Sequence, residues 1–139
     1  MRFLRLGIPL CVAFVGVAAG MPQLQRINAM NGVEPGLWSI HALEKGEADV
    51  APYCVADPTR LLQFRHPSAN CTRLVITDTP RIATIQYSCP GAGWGRTSVR
   101  VVSPTMLRLD TQGIADNAPF ALSAVARRLG DCSLQRASR

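Results

Sequence analysis

Residues 71–89 read CTRLVITDTPRIATIQYSC, and this stretch decides the predicted fold. Its two halves are rich in β-branched residues, which favour strands. The Asp78-Thr79-Pro80 sequence between the halves is typical of a turn. If the chain reverses about Pro80, Cys71 lies directly opposite Cys89, and opposed β-carbons can be close enough for a disulfide. The stretch therefore predicts a β-hairpin whose two ends are joined covalently.

The other cysteines indicate an exported protein with two disulfides. One of the five, Cys11, lies in an apolar N-terminal stretch, and four lie in the body of the chain. An even number of cysteines behind a leader is typical of oxidised, exported domains. Four cysteines allow three pairings, and the hairpin selects Cys71–Cys89 with Cys54–Cys132. The gaps between them are much wider than those of zinc ligands, so we expect no metal and no free catalytic thiol.

Residues 1–20 have the three parts of a secretory signal peptide. Arg2 and Arg5 give a positive start, residues 6–17 are apolar, and Ala18-Ala19-Gly20 supplies the small residues that a signal peptidase requires. The apolar run is shorter than the roughly 20 residues of a membrane-spanning helix. We therefore expect a cleaved Sec-type leader and a periplasmic or secreted protein with no stable membrane span after cleavage. The alternative is an uncleaved N-terminal anchor.

The mature chain is basic but lacks a nucleic-acid-binding pattern. Losing Arg2 and Arg5 with the leader lowers the Lys and Arg count from 15 to 13 against 9 Asp and Glu, so the net charge falls from +6 to +4. The cations are scattered from Arg26 to Arg139, and no basic run alternates with aromatic residues, so we expect no nucleic-acid partner. Attraction to anionic envelope surfaces is physically allowed, but the simpler expectation is a solvated basic surface.

Further short strands are predicted along the rest of the chain. Segments with alternating or β-branched residues are typical of half-buried strands, and they are residues 37–43, 50–55, 96–103 and 106–111. Residues 120–129 alternate as well, but their alanines and arginines also suit a helix. Asp57 before Pro58 predicts the start of a short helical segment that reaches Phe64.

These segments together predict one domain of the mostly β class. We expect a single antiparallel sheet or a partly closed barrel of about six to eight strands, with one short helical segment and two disulfides. The β domain spans residues 34–133 and is long enough for a hydrophobic core. Residues 21–33 are polar and weakly patterned, so we expect a mobile N-terminal segment there, and a flexible tail at residues 134–139.

Four motifs, in order, resemble those of the bacterial domain of unknown function 3617. They are an opening Pro-Gly-x-Trp strand, a first cysteine, a middle cysteine pair around a hairpin and a closing Arg-x-Gly-x-Cys element. The matching residues are Pro35 to Ile40, Cys54-Val55, Cys71 with Cys89, and Ala126 to Cys132. The resemblance implies a Gram-negative envelope protein with a leader, favours a strand at residues 120–129, and offers no catalytic residues.

Two tryptophans are the candidate ligand-facing residues. Trp38 and Trp94 could each line an apolar cleft, and the alternative for each is core packing. His41 alternates with Trp38, so we expect it on the wetter face of its strand, while His66 lies in a loop before a proline. Neither histidine has a carboxylate at a suggestive spacing, and we expect both to be ordinary surface residues.

No catalytic set is complete in the sequence. A Gly-x-Ser-x-Gly elbow is absent, and the glycine-rich residues 91–95 lack the lysine and hydroxyl of a phosphate-binding loop, so they predict a tight connection between strands. The leading hypothesis is a non-enzymatic binding or envelope-associated module without a cofactor. Its partner would be an unknown envelope protein or a small apolar ligand. The alternative is a small periplasmic hydrolase or inhibitor-like protein that uses Asp57, His66 and Trp94.

Two structural features would distinguish these hypotheses. A binding module should show a curved sheet with an apolar cavity. An enzyme should show a histidine within hydrogen-bond reach of a carboxylate in a cleft.

Overall fold

The structure is a computed structural model, and it describes residues 26–133. This part of the chain contains seven strands. In chain order they are β1 (Gly36–Ala42), β2 (Val50–Val55), β3 (Thr72–Asp78), β4 (Ile82–Cys89), β5 (Gly93–Ser103), β6 (Met106–Ala115) and β7 (Ala118–Gly130). Two short 3-10 turns complete the secondary structure, the N-terminal turn (Asn28–Met30) and the capped turn (Pro58–Gln63). The predicted leader (residues 1–20), residues 21–25 and the predicted tail (residues 134–139) lie outside the described residues.

The strands form one open antiparallel sheet in the order β2-β1-β7-β6-β5-β4-β3. The fold is therefore the single sheet of the two predicted alternatives, and seven strands fall within the predicted number. The two edge strands, β2 and β3, follow each other in the chain, and the capped turn lies in their connection. Arg73 on β3 donates hydrogen bonds to the Gln63 side chain and to the Thr59 hydroxyl, which ties this connection to the β3 edge.

The predicted hairpin is confirmed. Strands β3 and β4 pair with Thr72 opposite Ser88, and the Cys71–Cys89 disulfide lies at the open end of the hairpin. The second predicted disulfide, Cys54–Cys132, is also present and joins β2 to the chain just after β7. Two disulfides fit an exported or extracytoplasmic protein, because thiols stay reduced in most cytosolic proteins. Within residues 26–133, no helix has the length and apolar character needed to cross a membrane.

The last two strands are longer than the sequence indicated. Residues 120–129, which were ambiguous between strand and helix, lie in β7. The predicted end of β6 at residue 111 is wrong, because the strand continues through Gly113 to Ala115. A Cβ at Gly113 would overlap the Trp94 carbonyl of β5, so glycine here permits close pairing of two strands and does not mark a turn. The turn follows at residues 116–117, which both have positive φ, as a two-residue type I′ hairpin requires.

One side of the sheet carries the hydrophobic core. Alternate residues of β4 to β7 point to this inner side, and Trp38 of β1 is completely buried among them. The largest fully buried apolar side chains also include Ile27, Ile40, Leu61, Leu62, Ile85, Tyr87, Leu107 and Leu109. Truncating one such side chain to alanine typically costs about 2–5 kcal/mol. The inner side is therefore filled by the protein itself.

The segment before β1 differs from the prediction of a mobile N-terminal region. Residues 27–33 pack against the inner side, and Ile27, Ala29, Met30 and Val33 are buried in the core. The Asp78 carboxylate at the end of β3 accepts hydrogen bonds from the backbone N–H groups of Asn28 and Ala29, at 2.6 and 3.0 Å. The buried residues of a single 3-10 turn follow neither the helix period nor the strand period, so the sequence pattern does not predict their burial.

Candidate functional site

His66 is buried at one end of the sheet and does not lie on the surface as predicted. It follows the capped turn, which Asp57 starts by accepting the Thr59 N–H at 3.0 Å. Its Nε2 lies 3.0 Å from the Ile114 carbonyl oxygen and 3.1 Å from that of Ala92. Carbonyl oxygens only accept, so we assign the proton to Nε2. No local pattern predicts this position, because the partners of His66 come from two strands, β4 and β6, and from the β4–β5 turn.

The other nitrogen of His66 belongs to a buried polar chain. Its Nδ1 accepts a hydrogen bond from the Tyr87 hydroxyl at 3.2 Å. Burial raises the pKa of Tyr87 to about 12, so its hydroxyl stays protonated at neutral pH. The Thr111 hydroxyl lies close to that of Tyr87, where it acts to lower the tyrosine pKa, and it is 2.8 Å from the Thr97 hydroxyl. Both ring nitrogens of His66 are therefore occupied by protein groups, and the residue has a structural role here.

A glycine in β5 makes room for this chain. A Cβ at Gly95 would overlap the Tyr87 ring, which is buried and cannot move aside. Gly93 has a φ of +124° and lies against the Ile114 carbonyl and His66. The predicted tight connection is real, but it covers only residues 90–92, and both glycines belong to the strand. The glycine run was the one sequence signal for the buried polar chain.

A polar cleft opens beside His66. It has a volume of about 400 Å³ and is lined by residues 65–69, 91–92 and 115–117. The guanidinium of Arg65 lies over the Phe120 ring, 5.2 Å from its centre, while Asp116 is exposed at the β6–β7 turn. Among the described residues, no carboxylate hydrogen-bonds to His66. This cleft therefore does not provide the histidine and carboxylate pair expected of a hydrolase.

A second polar groove lies on the outer side of the sheet. Its volume is also about 400 Å³, and its lining includes Glu44, Arg96, Asp110 and Ser123. The Ser123 hydroxyl donates to Asp110 at 2.6 Å, and the Ser123 N–H donates to the Glu44 carboxylate at 2.7 Å. Glu44 thus takes the place of a strand carbonyl just beyond the end of β1. Neither this groove nor the His66 cleft is an enclosed apolar cavity.

His41 does meet a carboxylate, but outside any cleft. Its Nδ1 donates to Asp49 at 2.8 Å, and both side chains are more than half exposed. The hydrogen bond from His41, followed by one from the Ala42 N–H, holds the pKa of Asp49 below its usual value. The exposed position of His41 confirms its predicted face. The prediction that His41 has no carboxylate partner was wrong, because the β1–β2 hairpin brings together His41 and Asp49, which are eight residues apart in the chain.

The two candidate tryptophans lie on opposite sides of the sheet. Trp38 is 0 % exposed and its indole N–H donates to the Glu34 carbonyl at 3.1 Å, so it is a core residue and not ligand-facing. Trp94 is 43 % exposed and points outward, since its neighbour Gly95 faces the core. The proposed hydrolase residues Asp57, His66 and Trp94 do not converge, because Trp94 and His66 are separated by the sheet.

Exposed apolar side chains occur on both halves of the sheet: Leu43 after β1 and Leu129 on β7 are 55 % and 51 % exposed, and the others lie on β3 and β5. Leu74 and Ile76 of β3 are 60 % and 44 % exposed, and Trp94 and Val102 of β5 also project outward. Among residues 26–133, no group of three histidine, cysteine, aspartate or glutamate residues could hold a metal ion. No protein-family model, curated protein or solved structure matches this chain, so the resemblance to domain of unknown function 3617 stays a prediction from the motifs.

Proposed function

We propose that the protein is an exported, non-enzymatic module of the bacterial envelope that binds an extended segment of an envelope protein. The proposal places that segment along the free edge of β3, where it would add an eighth strand to the sheet. An edge strand presents unpaired backbone N–H and C=O groups, which give such a segment its affinity. The predicted leader and the two disulfides support the envelope as the compartment.

The contrast between the two sheet edges is the observation that carries the proposal. The β2 edge includes Pro52, which has no N–H to donate. The β3 edge has neither proline nor lysine, and it exposes Leu74 and Ile76 on one face. A bulge interrupts its pairing with β4 only after Val75, so the first half of the strand is regular. Its protective features are the bulge and the inward-pointing Arg73, and the regular first half with its exposed apolar side chains is what favours a partner there.

A protein partner fits the structure better than the small apolar ligand. The inner side of the sheet is filled by Trp38 and its neighbours, and the two clefts are polar and open. Ligand pockets for apolar molecules are concave and mostly lined by hydrophobic side chains. The exposed apolar residues of β3 instead lie on an outward surface that a second chain can reach.

A photo-crosslinking amino acid can test this edge in the native compartment. We would place it at Leu74 on β3 and, as the matched control, at exposed Ala51 on β2. The expected result is one discrete protein adduct at position 74 that is missing at position 51. Hydrogen exchange with the identified segment should then show new protection of β3 amides and none of β2 amides. Equal adducts at both edges, or protection away from β3, would contradict the proposal.

A further inference from the structure

Four arginines that are scattered in the sequence gather on the outer side of the sheet. Arg96 and Arg100 lie on β5, Arg108 lies on β6 and Arg127 lies on β7, and all four are exposed. The neighbours of each arginine in its strand face the core side. Because side chains alternate between the two faces of a strand, the four arginine side chains point outward. We call Arg96, Arg100, Arg108 and Arg127 the arginine face.

The strand register places two of these cations directly against each other. Arg100 is the cross-strand partner of Arg108. Directly opposed residues have β-carbons only about 5 Å apart, and like charges at such positions are destabilising. Arg127 is opposite Met106, two residues along β6 from Arg108, so the cluster extends onto a third strand. The fold therefore holds mutually repelling charges close together.

Nothing in the described part of the protein neutralises this cluster. Among residues 26–133, neither Arg100 nor Arg108 has a carboxylate oxygen within 4.0 Å. Three carboxylates on the same side are hydrogen-bonded to other groups, since Asp110 accepts from the Ser123 hydroxyl, Glu44 from the Ser123 N–H and Asp49 from His41. The four arginines of the face outnumber these three anions. The unmatched repulsion points to an external anion.

The surroundings of the cluster favour a lipid surface as the source of that anion. The outward residues of β5 are Trp94, Arg96, Ser98, Arg100 and Val102, and the apolar residues at its two ends are 43 % and 42 % exposed. Tryptophan and arginine together are typical of surfaces that meet lipid headgroups. The cations also span three neighbouring strands, about 10 Å across, on an open face, and the polar groove beside Arg96 does not extend to Arg100, Arg108 or Arg127.

We infer that the arginine face binds the headgroups of anionic phospholipids, with Arg100 and Arg108 sharing one phosphate. The shared phosphate removes the repulsion between the two guanidinium groups, because arginine forms charge-assisted hydrogen bonds to phosphate oxygens. Val102, two residues from Arg100 on β5, then contacts the interface beside this pair, and Trp94 contacts it at the other end of the strand, next to Arg96. This inference goes beyond the proposed protein partner and does not depend on it, since the β3 edge contributes none of the four arginines.

Vesicle sedimentation tests the inference with single charge changes. The wild-type chain should sediment with phosphatidylglycerol vesicles, stay in solution with phosphatidylcholine vesicles, and be released by salt. Each arginine near an anionic surface contributes about 1 kcal/mol, or roughly fivefold in the partition coefficient. Arg108→Gln should therefore weaken binding about fivefold, and Arg100→Gln with Arg108→Gln about 25-fold.

The matched control removes the same charge from the other side of the sheet. Arg26 is exposed on the N-terminal segment, which packs against the core side, so Arg26→Gln should change binding less than twofold. Equal losses of vesicle binding in Arg26→Gln and Arg108→Gln would mean that binding depends on net charge alone, and would overturn the inference. Failure of the wild-type chain to bind phosphatidylglycerol vesicles would also overturn it. The same holds if a soluble polyglutamate binds tightly to residues other than the four arginines and thereby prevents vesicle binding.

Stability measurements separate loss of binding from loss of folding. Removing one cation of the Arg100–Arg108 pair relieves repulsion in the free protein, so the urea midpoint of either single variant should stay equal or rise. A midpoint that falls in both variants would show that the pair already has a stabilising partner, and would also overturn the inference.

Discussion

Replacing both Cys54 and Cys132 by alanine tests how the sheet is held together. This disulfide joins the β2 edge strand to the chain that follows β7, and it closes a loop with a sequence separation of 78. Cys54 is exposed and Cys132 is half-buried, so the substitutions remove little packing. The loss of stability should therefore come almost entirely from the greater freedom of the unfolded chain.

The expected size follows from loop closure. A loop of this length corresponds to about 4.5 kcal/mol at 25 °C, and the Cys71–Cys89 loop, with a separation of 18, to about 3.2 kcal/mol. Alanine at Cys89 also removes a buried sulfur, so the hairpin variant adds a packing loss to its smaller entropic loss. The Cys54–Cys132 variant is the cleaner measure of the loop effect.

Urea unfolding followed by the fluorescence of buried Trp38 provides the assay. We expect the Cys54→Ala, Cys132→Ala variant to lose about 4 kcal/mol of unfolding free energy, with a larger dependence on urea because its unfolded chain expands. A loss below about 1.5 kcal/mol would refute the reasoning, since the clamp would then add little to a sheet already held by strand pairing.

Three other substitutions or conditions give direct predictions. Gly95→Ala should destabilise by about 1–3 kcal/mol, because the new Cβ overlaps the buried Tyr87 ring, whereas Gly32→Ala has open space and should be nearly neutral in the same urea assay. Tyr53→Phe should be neutral or stabilise by up to about 1 kcal/mol, because the Tyr53 hydroxyl is buried and has no hydrogen-bond partner within residues 26–133; a loss above about 1 kcal/mol would contradict this. Burial raises the pKa of Tyr53 and of Tyr87 to about 12, above the unfolded value near 10, so their contribution is complete below pH 10 and is lost as the pH rises towards 12. The free energy of unfolding should fall across that window, less steeply in the Tyr53→Phe variant, and a flat profile would contradict the assignment.

Local patterns in the sequence predicted most of the fold. The hairpin over residues 71–89 and its disulfide followed from β-branched residues, a turn and symmetric spacing about Pro80. Alternation also located β1, β2 and the start of β6. These features depend on residues that are close in the chain, and period-two patterning reports directly which residues one face of a strand buries.

The failures concern contacts between distant residues. His66 was expected on the surface because its partners, the carbonyls of Ala92 and Ile114 and the hydroxyl of Tyr87, come from other strands and turns. The arginine face was missed for the same reason, since only the register between β5, β6 and β7 brings its members together. A single sequence contains the alternation within each strand but not the alignment between strands.

The pairing of β1 with β7 sets the order in which this molecule can assemble. The strand made first has its main partner in the strand made last, so in a chain that emerges from its N-terminus the β1–β2 hairpin lacks its β7 neighbour while β3 to β6 form their meander. During that interval Cys54 cannot form its disulfide with Cys132, and the thiols of Cys71 and Cys89 are the first with which it can react. Correct maturation therefore calls for a disulfide isomerase or for rapid closure of the central hairpin.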